Sequence, residues 1–73
     1  MARTRYDVVY KNFAWAVTHA GSTVSTHITK SAAILAGVNL ARQNEPSQVI
    51  IHTMDGKIED ERTYGNDPFP PRG

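Results

Sequence analysis

Apolar and polar residues alternate with a period of two over most of the first 28 positions, and the spacing then changes to three and four. The first run, 6–10, is β-branched and aromatic and predicts a strand with Tyr6, Val8 and Tyr10 on one face. A short connection at 11–13 leads to a second strand, 14–19, where Trp15, Val17 and His19 alternate with Ala14, Ala16 and Thr18. Turn chemistry at 20–22 separates it from a third strand, 23–28. Thr29 is a suitable N-cap, because its hydroxyl can accept a free amide of a first helical turn. From 30 to about 43 the residues favour helix, and Ala33, Ile34, Gly37, Val38, Leu40 and Ala41 recur on one face. The small Ala33 and Gly37 let such a helix lie close on a sheet. Pro46 stops it, since proline has no amide to continue the ladder.

A fourth strand is expected at 48–54, and Asp55-Gly56 predicts a two-residue type I′ turn with positive φ at both positions. That turn would place His52 opposite Glu59. The fifth strand, 57–63, carries Glu59, Asp60, Glu61 and Arg62, too polar for a sheet centre, so it is expected at an edge, where charge discourages sheet-to-sheet association. The predicted fold is α+β in the order β-β-β-α-β-β, an antiparallel sheet with one helix packed on one face. One domain spans 1–65, followed by a Pro-rich tail, 66–73, expected to dock on its own domain or on a neighbouring subunit.

Three stretches together carry a resemblance: Trp15-Ala16-Val17, the helix around Thr29-Lys30 and Leu40-Ala41-Arg42, and His52-Thr53-Met54-Asp55-Gly56-Lys57-Ile58 running on to Tyr64-Gly65-Asn66-Asp67-Pro68-Phe69-Pro70-Pro71-Arg72-Gly73. The chain resembles a bacterial domain-of-unknown-function family, number twenty-one eighty-eight, from Tyr6 onward. The resemblance implies a small bacterial or phage αβ domain with no established activity and supplies no catalytic residue. The chain departs from the family pattern at Leu35 and Val38, where charged residues are usual.

Composition narrows the function classes. At 73 residues a core is thin, and small domains often add disulfides, a metal or a partner subunit. There is no cysteine, which removes disulfides and thiolate metal sites and fits a reducing cytoplasm. No apolar run approaches the roughly 20 residues of a membrane helix, so a cytoplasmic protein without membrane contact is expected. His19, His27 and His52 have no carboxylate at ligand spacing, so no metal or cofactor is expected. Ser22, Ser25, Ser31 and Ser47 occupy no nucleophile elbow, and the five glycines form no phosphate-cradling loop. The chain is therefore read as no enzyme, but as a protein-interaction or assembly module whose partner is unknown.

The runner-up is nucleic-acid binding. Eight Lys and Arg against seven Asp and Glu leave a net charge of +1, without the usual basic excess of such binders. A three-stranded meander followed by a helix nevertheless resembles sheet-type DNA-binding domains, and Arg3, Arg5, Lys11 and Lys30 would be the phosphate contacts. The candidate protein interface is Leu35 and Val38 on the helix flank, with Phe69 of the tail. The strip suits a two-fold contact that makes a homodimer; its rival is Leu35 lying under the tail against Phe69.

Overall fold

The computed structural model describes residues 3–65; Met1, Ala2 and residues 66–73, with the expectations for Phe69 and the tail, lie outside the described residues. The elements are β1 (Thr4–Lys11), β2 (Ala14–His19), β3 (Ser22–His27), α1 (Lys30–Gln43), β4 (Ser47–His52) and β5 (Ile58–Tyr64). They follow the predicted order, with β2 and α1 at the predicted boundaries and the other elements shifted by one or two residues.

The strands form one sheet in the order β3-β2-β1-β4-β5. The expectation of a purely antiparallel sheet is corrected: β1 and β4 run parallel, from Thr4 opposite Ser47 to Val8 opposite Ile51, and the other pairs are antiparallel. The cause is the helix. β3 ends at the far end of the sheet, and α1 carries the chain back to the end where β1 began. The next strand therefore starts beside Thr4 and runs the same way. The Thr4 amide donates to the Pro46 carbonyl at 3.0 Å and opens this ladder.

β1, paired on both sides, carries part of the core. Tyr6, Val8, Trp15, Val17, Val49 and Ile51 form one buried cluster with Ala33 and Ala41 of α1. A Cβ placed on Gly37 would lie 3.5 Å from Val8, 3.6 Å from Val49 and 3.8 Å from Val17, ordinary van der Waals contact, so α1 lies at a distance from the sheet that leaves room for a methyl there. Thr29 caps α1 as its sequence suggests, accepting from the Ala32 amide at 3.1 Å. At the other end the buried Ser47 hydroxyl donates to the Ala41 carbonyl, tying the last turn to the start of β4.

Two turn expectations are corrected. Asp55-Gly56 does not form a type I′ turn: only Gly56 has positive φ, at 91°. The connection is wider, with the Thr53 amide donating to the Lys57 carbonyl at 2.8 Å and the Gly56 amide to the Thr53 carbonyl at 3.0 Å. A register shift between Ile51 and His52 pairs His52 with Ile58 rather than Glu59. Positive φ at two successive residues occurs instead at Asn12-Phe13 (53° and 62°) and Ala20-Gly21 (52° and 84°), the two-residue links flanking β2. β5, with its exposed acidic run, stands at an edge as its charge requires. Among the described residues no helix is long and apolar enough to cross a membrane.

Candidate interaction site

The strand directions decide which loops meet. β1, β3 and β4 point the same way and β2 and β5 oppose them. The β1–β2 link, the β3–α1 link and the β4–β5 connection therefore all lie at one end of the sheet. These three loops hold Phe13 (92% exposed), Ile28 (86%) and Met54 (63%), and Ile58 (55%) opens β5 at the same end. Four of the six large exposed hydrophobics among the described residues are thus gathered along one rim. Five strands at about 4.8 Å spacing make that rim about 19 Å wide.

Phe13 is held at a cost. Its left-handed backbone is disfavoured by roughly 1–2 kcal/mol for a residue with a Cβ, while its ring is almost wholly in solvent. Asn12 tolerates the same conformation more easily. The two-residue link between Lys11 and Ala14 requires both, because a turn of this hand matches the twist of the strands. Behind the rim, Lys30 at the start of α1 pairs with Glu59 and sits 5.1 Å from the centre of the Trp15 ring.

The opposite face of β1 carries an ion network. Arg5 donates to both oxygens of Asp7 at 2.9 Å, and His52 Nε2 donates to Asp7 Oδ2 at 2.8 Å. Burial pushes the Asp7 carboxyl up, but the hydrogen bonds from Arg5 and His52, with their charges, together hold it below the usual carboxylate range. The network crosses from β1 to β4 and consumes the charge of Arg5.

The four candidate phosphate contacts are not brought together as one free patch. Arg5 is paired with Asp7 and Lys30 with Glu59. Lys11 donates to the Thr23 hydroxyl at 3.1 Å, and Arg3 to the Tyr64 carbonyl at 3.4 Å. Arg5 and Lys11 share the outer face of β1, whereas Lys30 stands beside Trp15 on the side of the core. The histidines are also dispersed: His19 Nδ1 is 3.0 Å from the Arg5 carbonyl, His27 Nε2 is 2.9 Å from the Ser25 hydroxyl, and His52 meets Asp7. Among the described residues no three His, Asp or Glu side chains gather in a group that could hold a metal.

Leu35 and Val38 do come together. With Ser31, Ile34 and Arg62 they line a groove of about 350 Å³ between α1 and β5. A second hollow of about 360 Å³ lies at the far end, among Arg3, Arg5, Asp7, His19 and Gly21. The rim residues Phe13, Ile28, Met54 and Ile58 were not legible as a site, because each sits in a different segment. The available signal was local: a phenylalanine in a two-residue link between strands has nowhere to bury.

A family model described as "Uncharacterized protein conserved in bacteria (DUF2188)" matches residues 6–64. The chain belongs to that family. No curated protein and no solved structure matches the chain.

Proposed function

We propose that this member of a conserved bacterial family is a non-enzymatic interaction module that engages a protein partner through the apolar rim of its sheet. The observation that carries the reading is the convergence of Phe13, Ile28 and Met54 from three connections, with Ile58 at the start of β5, onto one end of the sheet. Exposed aromatic and aliphatic groups concentrated in one place mark interaction surfaces, where scattered single residues would not. The turn accounts for the left-handed backbone of Phe13, but not for a large apolar ring placed there in solvent, where glycine or asparagine would serve. The reading assigns no catalytic role. Ser25 and His27 stand at hydrogen-bond distance on the edge strand, but no carboxylate among the described residues is hydrogen-bonded to His27.

The test is affinity capture from the native bacterial host, with wild type beside a Phe13→Ser, Ile28→Ser double variant of equal thermal stability. A discrete partner that is retained by wild type and lost by the variant is the expected result. Equal capture by both removes the rim from the interaction. Tight binding of duplex DNA or single-stranded RNA at low salt, weakened by Lys11→Glu but not by the rim variant, would replace this reading with the nucleic-acid one.

A further inference from the structure

β1 runs past the end of β2. It pairs with β4 from Thr4 onward, but its ladder with β2 stops at Asp7 opposite Thr18, and the chain then turns into β3 at Ala20-Gly21. The space left beside the start of β1 is the hollow among Arg3, Arg5, Asp7, His19 and Gly21. Its volume of about 360 Å³ is at the small end of the roughly 300–1,000 Å³ of ligand pockets. A Cβ on Gly21 would meet nothing within 4 Å, so the hollow is open on that side. Its polar groups follow from the strand. The Thr4 amide donates to the Pro46 carbonyl on the β4 side. Successive residues of a strand direct their N–H and C=O groups to opposite sides, so those of Arg5 face the hollow. His19 Nδ1 meets the Arg5 carbonyl there at 3.0 Å, while the Arg5 amide lies beyond the last β2 pair and has no strand partner. A carbonyl only accepts, so Nδ1 carries the proton and Nε2 of the neutral ring is left as an acceptor. The Tyr6 ring, 5.2 Å away between centres, backs the imidazole. Asp7 offsets the charge of Arg5 but engages only Nε and one hydrogen of NH2, which leaves the other edge of the guanidinium with two parallel N–H groups. That side chain is 52% exposed. Arg3 stands at the mouth, and its contact with the Tyr64 carbonyl, at 3.4 Å, is long and exposed.

We propose that this hollow binds inorganic phosphate as the hydrogenphosphate ion, held between Arg5 and His19. The open edge of the Arg5 guanidinium forks two unprotonated oxygens, and the Arg5 amide donates to the same side. Arg3 adds a second positive charge by turning from its exposed contact. The protonated oxygen donates to His19 Nε2. Asp7 is the support and not a ligand: both of its oxygens are occupied by Arg5 and His52, and the fork it makes fixes the plane of the guanidinium. His19 sets the choice of anion. Sulfate has the same shape and no proton to give it, and neither has a phosphodiester of a nucleic-acid backbone. The site lies at the opposite end of the sheet from the apolar rim and is independent of it.

The test is a nuclear magnetic resonance titration of the full chain with inorganic phosphate, beside sulfate, at about pH 8, where both are dianions. Phosphate is expected to move the Arg5 and Gly21 amides and the His19 ring with saturation. It is expected to bind about tenfold more tightly than sulfate, the worth of roughly one hydrogen bond to a charged group. His19→Phe, which keeps a ring against Tyr6, should bring phosphate down to the level of sulfate and leave sulfate unchanged. Arg5→Lys, which keeps the charge and loses the fork, should weaken both anions. Arg3→Gln, which gives up only an exposed contact, should weaken both as well, and the comparison of the two anions on wild type stands even where a variant fails to fold. Equal binding of phosphate and sulfate overturns the proposal, as do shifts spread without saturation over Lys11, Arg42 and Lys57; either leaves an adventitious anion only. Unchanged phosphate binding in a folded His19→Phe overturns it too. Duplex DNA without terminal phosphates that moves the same amides at lower concentration than phosphate overturns it in favour of a phosphodiester backbone.

Discussion

Replacing Gly37 by alanine should make the protein more stable, and the distances around it say by how much. Gly37 is buried in the middle of α1, where glycine is about 0.8–1.0 kcal/mol less favourable than alanine. The new methyl would lie 3.5–3.8 Å from Val8, Val49 and Val17, which is ordinary van der Waals contact and requires no neighbour to move. Each atom pair at such a distance contributes only about 0.1–0.2 kcal/mol, but several act together. The sum is about 1–1.5 kcal/mol, or a rise of roughly 5–10 °C in melting temperature for a domain of this size. Gly37→Val is the counter-case: its two further methyls have to enter the same three valines, and overpacking of that kind costs about 1–3 kcal/mol. Urea unfolding followed by far-ultraviolet circular dichroism and by Trp15 fluorescence measures both variants, and an unchanged slope shows that only stability has moved. A destabilised Gly37→Ala would refute the reasoning, because α1 would then have to sit nearer to β1 than these distances place it.

Phe13→Gly should leave stability unchanged or raise it by about 1 kcal/mol, since glycine adopts the left-handed backbone freely, while partner capture falls; a clear loss of stability in thermal melts would contradict the strained, exposed placement of the ring. Thr29→Ala should lower stability by about 1 kcal/mol through loss of the hydroxyl that accepts from Ala32, measurable by the same urea titration. The Asp7 carboxyl titrates lower in the folded chain than in the unfolded one, so its contribution is complete above the ordinary aspartate value of about 3.9. That contribution is lost as pH falls through the lower folded value. Asp7→Asn should therefore be less stable than wild type near neutrality and lose less on acidification, and parallel acid limbs in a series of melts from pH 6 to pH 2 would sink that assignment.

What could be read from the residues alone was what is decided locally. The order and kind of the six elements follow from alternation, from the three-and-four spacing of Ala33, Ile34, Gly37 and Ala41, from the hydroxyl of Thr29 and from Pro46, each acting over a few neighbours. The edge position of β5 was legible as well, because a run of four charged side chains cannot be tolerated between two strands. The parallel pairing of β1 with β4 was not, since it depends on the end of the sheet to which α1 returns the chain, a choice no short segment encodes. The same holds for His52. The shift of register beside Ile51 removes it from Glu59, and the contact it makes instead is with Asp7, 45 positions away in the chain. The exposed apolar rim is the extreme case. Phe13, Ile28, Met54 and Ile58 look like unrelated loop residues in the sequence, and only the shared direction of β1, β3 and β4 brings them to one end. Local chemistry determined what each segment is; the long-range pairing of strands determined which side chains are left exposed together at one end of the sheet.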